Sequence, residues 1–138
     1  MLRSKEVEQA VRDLARAINE GDIDAVDHLM STGDCRVIGS DPAEWWGPDR
    51  HEVVKRFQAQ VEELGGNLRL EPDAPEGYAD ANIGWVSDQP TAHLADGSMV
   101  PMRLSGVLHR EGRTWRFAQL HLSVGVTNEE AIGIELPT

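Results

Sequence analysis

The apolar residues change their period once along this chain, at Gly65-Gly66, and that change limits what it can fold into. Before it, apolar residues recur at three- and four-residue spacing; after it, they alternate with polar ones. Val7, Val11, Leu14 and Ile18, with Ala10 and Ala15 beside them, predict a first helix. Ser4 is placed to cap its start and Gly21 to stop it. Asp22 caps a second, short helix carrying Ile23, Val26 and Leu29 or Met30 on its apolar face. Asp49, with Glu52 three residues on, resembles a capping box. It opens a third helix striped by Val53, Val54, Phe57, Val61 and Leu64. Between the second and third, Cys35 to Gly39 predicts a strand, and Ser40 to Gly47 a loop holding Trp45 and Trp46.

Beyond the double glycine, Leu68 and Leu70 alternate with polar neighbours, and Pro72 to Gly77 is a turn-rich connection. Strands are expected over 78–87, 91–94, 99–110 and 113–126. Asp96-Gly97 is a two-residue hairpin signal, and Glu111-Gly112 is a second turn. Residues 127–138 form a polar tail, expected to be poorly ordered at its end. Three helices followed by a mostly antiparallel sheet predict an α+β domain spanning residues 1–138. Gly84 and Gly106 inside long strands suit strong curvature, so that helices laid on the sheet leave a hollow.

Charge narrows the functions. With 24 acidic and 13 basic residues the formal net charge is -11, which opposes nucleic acid and anionic membrane surfaces. No apolar run approaches a membrane span, and the first residues show no signal core, so a cytoplasmic location is expected. The single cysteine, Cys35, cannot pair internally, suits a reducing compartment, and reads as a buried strand residue. His51-Glu52 lacks the second histidine of a zinc-protease helix. His93, His109 and His121 have no cysteine partners at metal spacing. No phosphate loop or cofactor motif is visible, so neither metal nor cofactor is expected.

Strand alternation sorts the candidates for chemistry. On the last strand, uninterrupted alternation places Trp115, Phe117, Gln119, His121 and Ser123 on one face. On the strand before it, Arg103, Ser105, Val107 and His109 share a face. A hairpin about Glu111-Gly112 then brings Arg103 and Ser105 near His121 and Ser123. A face greasy at one end and polar at the other fits a pocket wall formed by Arg103, Trp115, Gln119, His121 and Ser123, with Trp45 or Trp46. The alternative is a dimer interface or a buried hydrogen-bond network. His121 is a candidate general base or a structural histidine. Asp41, beside two tryptophans, is a candidate base with a carboxyl raised by desolvation, or a loop aspartate bonding its own backbone. The tryptophans either stack on a flat ligand or pack on the third helix.

Two segments carry a resemblance. Asp41-Pro42-Ala43-Glu44-Trp45-Trp46-Gly47 resembles a segment of SnoaL-like proteins, of the nuclear transport factor 2-like superfamily. Gly112 to Ser123, with its Gly-x-x-Trp-Arg start and His-x-Ser end, resembles that family's final strand. The order of elements matches along nearly the whole chain. The resemblance implies a cone-shaped α+β barrel, open at one end and paired into a homodimer across its sheet. It implies no single activity: relatives include polyketide cyclases, ketosteroid isomerases, an epoxide hydrolase, dehydratases and transport factors. The isomerase pattern of a tyrosine and a protonated acid is not met, because Tyr78 lies on a strand and no tyrosine lies on the first helix. Nor is the hydrolase pattern, because Ser105 rather than an acid follows Arg103. The reading is a small hydrophobic or aromatic ligand in the cone, with cofactor-free proton abstraction by Asp41 or His121 and Arg103 as oxyanion partner. Its rival is a non-catalytic association module using the sheet face.

Overall fold

The computed structural model describes residues 2–138. Helix α1 (Lys5–Glu20) starts at Ser4, whose hydroxyl accepts from the Val7 N–H, and ends at Gly21 in the left-handed conformation that glycine adopts without strain. Its inward stripe, Val7, Ala10, Val11, Leu14 and Ala17, is buried. Helix α2 (Ile23–Leu29) is capped by Asp22, and helix α3 (Arg50–Leu64) by Asp49, which accepts from the His51 N–H. All three helices occupy the places their spacing predicts.

The strands are β1 (Leu2–Arg3), β2 (Arg36–Ile38), β3 (Trp45–Trp46), β4 (Leu68–Glu71), β5 (Glu76–Asp80), β6 (Ile83–Asp88), β7 (Thr91–Leu94), β8 (Met99–Glu111) and β9 (Thr114–Val124). The sheet runs β1-β5-β6-β8-β9-β2-β3, with β7 joining β8 and β4 joining β7. Pairings between these strands are antiparallel except β2 with β9. The fold is therefore the expected α+β cone: a large, curved, unclosed sheet with helices on its concave side.

Three local expectations change. Residues 78–87 are not one strand but the β5–β6 hairpin, turning at Ala81, whose φ is 51°. Trp45 and Trp46 are not loop residues; they form a short strand paired to Val37 and Ile38. The tail contains a helix, α4 (Asn128–Ile132), capped by the Thr127 hydroxyl.

The largest correction is in β9. Val107 pairs with Gln119, but Leu108 pairs with Phe117, so Ala118 is left over as a β-bulge. A bulge reverses which residues face inward. Trp115 and Phe117 point into the core on one side of it; Leu120 and Leu122 do so on the other. Gln119, His121 and Ser123 are thereby turned to the convex, outer face. Gly106, opposite, admits the Phe117 ring, since a Cβ there would lie 2.8 Å from it. The core proper fills the narrow end of the cone, where Val7, Leu14, Leu108, Trp115 and Phe117 meet.

Candidate functional site

Toward the wide end the filling stops. A cavity of about 380 Å³ opens between the helices and the concave sheet, at the small end of ligand pockets. Helices contribute Ile18, Phe57, Val61 and Leu64; strands contribute Leu68, Leu70, Met102 and Leu122. Met102 and Leu122 face it because β8 and β9, past the bulge, present their even-numbered residues inward. The remaining lining, Ser40, Glu44, Gln60 and Glu63, is polar. Other depressions on the surface are edged by charged side chains, as between Arg12, Arg16 and Glu71 or around Arg103, Glu129 and Glu135.

The polar part is held in place. Glu44 Oε1 accepts from the Asp41 backbone N–H at 2.8 Å, and Oε2 accepts from Gln60 Nε2 at 2.7 Å. That second bond ties the β2–β3 connection to α3. Ser40 Oγ accepts from the Val124 N–H at 2.7 Å, fixing the same connection to the end of β9.

The residues singled out in the sequence lie elsewhere. Arg103 pairs with Ser123 and Ser105 with His121, as the hairpin predicts. However, this group stands on the outer face with Gln119, across the sheet from the cavity. Arg103 is exposed, beside a depression it shares with Thr127, Glu129 and Glu135. Asp41 is exposed, and its carboxylate accepts from the Ala43 N–H at 2.8 Å, a local turn bond. Trp45 is 60% exposed and lies under the Arg36 guanidinium at 5.1 Å. Trp46 is buried edge-to-face on Phe57, one layer behind the cavity wall. Trp115 is buried at the narrow end, where its Nε1 donates to Glu6 at 3.2 Å. None of these residues lines the cavity. The lining residues Glu44 and Gln60 were missed. The signal for Glu44 was its place in the segment that carries the resemblance; Gln60 lies one residue from the apolar stripe of the third helix.

Outside the cavity, hydrogen bonds hold the carboxyls of Glu111 and Glu8 low. Burial by itself would raise the Glu111 carboxyl, yet hydrogen bonds from Thr32 and Ser31, with Arg116 nearby, hold it below the ordinary glutamate range. Glu8 is lowered by its bond from Arg3 and by the Gly77 N–H. Both tie chain segments together far from the cavity. Burial raises the Cys35 thiol, in keeping with an inert core residue. Among the described residues no cluster of three or more histidines, cysteines or carboxylates is arranged to hold a metal.

An unclosed cone with an apolar hollow under its helices is the architecture of the cystatin-like, nuclear transport factor 2-like proteins. The chain belongs to the SnoaL-like domain family, which matches residues 7–127. Among solved structures it is similar to a nuclear transport factor 2-like protein of unknown function from Pseudomonas putida KT2440. That likeness has a TM-score of 0.79 at 14% identity, over 99% of each chain. It is also similar to a provisionally named dehydratase of the same superfamily from Streptomyces avermitilis. There the TM-score is 0.75 at 13% identity, over 89% of this chain and 96% of that one. A provisionally named ketosteroid isomerase from Shewanella frigidimarina aligns with a TM-score of 0.71 at 11% identity, over 87% and 96% of the two chains. At these identities the likeness establishes the fold. No curated protein matches the sequence.

Proposed function

We propose that this chain is a small-molecule-binding protein that takes an apolar ligand into the cavity at the wide end of its cone. The observation that carries this reading is the abrupt end of core packing there. Eight apolar side chains face a space of about 380 Å³, beside polar groups already fixed by hydrogen bonds. Apolar walls with a few convergent polar groups are what ligand pockets share. Related folds named as isomerase and dehydratase support a reaction within such a cavity. Proton abstraction from a bound carbonyl compound would then fall to Glu44 on the wall, rather than to Asp41 or His121. The single buried thiol supports a reducing, intracellular compartment.

Titration with the neutral fluorophore Nile red tests the reading. The expected result is saturable binding of one dye per chain, weakened at least about tenfold in Leu122→Trp, which fills the cavity from the sheet side. Absence of saturable binding, or binding indifferent to that substitution, would overturn it.

A second reading concerns the outer face. Trp45 and Val107 are exposed there beside Ile38, Gln119 and His121, on adjacent strands. This continuous, partly apolar surface supports a homodimer formed sheet to sheet.

A further inference from the structure

We propose that the cavity selects an amphiphilic amine, a compact apolar body carrying one protonated amino head. This rests on the cavity being a binding site. The inference comes from the hydrogen-bonding character of its polar groups, which are mostly acceptors. The Glu44 carboxylate is oriented by its two bonds from Asp41 N and Gln60 Nε2, and a carboxylate retains further lone pairs. Gln60 spends one of its two amide hydrogens on Glu44, leaving one N–H to donate and its carbonyl oxygen to accept. Glu63 adds a second carboxylate to the lining. Ser40 already accepts from Val124 N, so its hydroxyl hydrogen and the second Gln60 N–H are the two donors left, against the oxygens of two carboxylates and one amide.

No lining residue is cationic. Among the described residues, neither Glu44 nor Glu63 enters an ion pair with a lysine, arginine or histidine. A ligand carboxylate or phosphate would meet two like charges within a field of formal charge -11. An ammonium would bring three donors to a wall dominated by acceptors, and a positive charge to its two carboxylates. Glu44 is half-buried rather than sealed, so the head keeps part of its hydration and the desolvation cost stays small. The apolar body meets Phe57, Leu64, Met102 and Leu122.

Isothermal titration calorimetry with octylamine, 1-octanol and octanoate at neutral pH tests the head group at constant tail. Octylamine should bind about tenfold tighter than octanol, the worth of one charge-assisted hydrogen bond, and octanoate should bind weakest. Glu44→Gln keeps the shape and removes the charge. It should bring octylamine down to the level that octanol shows in the same variant. Leu122→Trp should abolish both. Octanol or octanoate binding as tightly as octylamine, or a preference unchanged in Glu44→Gln, would overturn the inference and leave the cavity reading standing. So would Nile red binding while none of the three does. Octylamine binding that survives Leu122→Trp would mean attraction to the acidic surface, and would overturn the inference too. If neither Nile red nor any of the three binds, both readings fall.

Discussion

Gly106 shows how much one absent methyl group can decide. A Cβ at this position would sit 2.8 Å from the Phe117 ring and 3.2 Å from the Gln119 carbonyl. Gly106→Ala should therefore destabilise the protein by about 1–3 kcal/mol through overpacking, measurable by urea denaturation. Glu111 is the other residue with a clear individual effect. It gathers Ser31 and Thr32 at the narrow end, and its carboxyl is held below the ordinary range. A depressed folded-state value means the unfolded chain binds the proton more readily. The contribution is thus complete at neutral pH and lost as pH falls from the ordinary glutamate value through the depressed one. Glu111→Gln should lower stability near pH 7 by about 1–3 kcal/mol and flatten the acid limb of a stability–pH curve. An acid limb of unchanged steepness would assign the loss to other carboxylates.

Among elements, helices were legible because their caps and stripes are local: Ser4, Asp22, Asp49 and Gly21 all act where the sequence places them. The hairpin turns at Gly97 and Gly112 were legible for the same reason, since both adopt positive φ. The β5–β6 turn was not, because Ala81-Asn82 lacks the usual glycine. The bulge left a trace that plain alternation overlooks. Apolar residues occupy odd positions at Trp115 and Phe117, then even ones at Leu120 and Leu122, and only an extra residue reconciles the two phases. Missing that phase change moved Gln119, His121 and Ser123 to the wrong side of the sheet, and the site with them. The cavity wall was readable only in part, as the stripe Phe57, Val61 and Leu64 on α3. Deleting Ala118 should close the ladder with its pairings unchanged and set Trp115, Phe117, Leu120 and Leu122 in a single inward phase. The variant should therefore keep a sharp cooperative transition in a circular-dichroism melt. Loss of that transition would show that the sheet needs the local twist of the bulge.

The molecule as a whole separates two surfaces that share one sheet. The concave side ends in the cavity, while the convex side carries the Arg103–Ser123 and Ser105–His121 pairs. Among the described residues no helix is long and apolar enough to cross a membrane. Substitutions on the convex side should leave ligand binding alone. His121→Ala is expected to keep Nile red affinity within about twofold, and Trp45→Lys to weaken self-association at least about tenfold. Analytical ultracentrifugation reads the second effect. A sedimentation profile unchanged by Trp45→Lys would remove the sheet-to-sheet dimer.

Strand β8 has one edge shared by two partners: Met99 to Pro101 pair with β7, and Leu104 to His109 with β6, while its opposite edge is taken up by β9. The lining of the hollow and its structural seam are thus borne by a single stretch of backbone. Each of its central amides is held by β6 on one edge or by β9 on the other, so exchange there requires one of these central ladders to open. The slowest-exchanging protons of the chain should accordingly cluster in the middle of β8, and the cavity should persist, empty or filled, until the last cooperative unit melts.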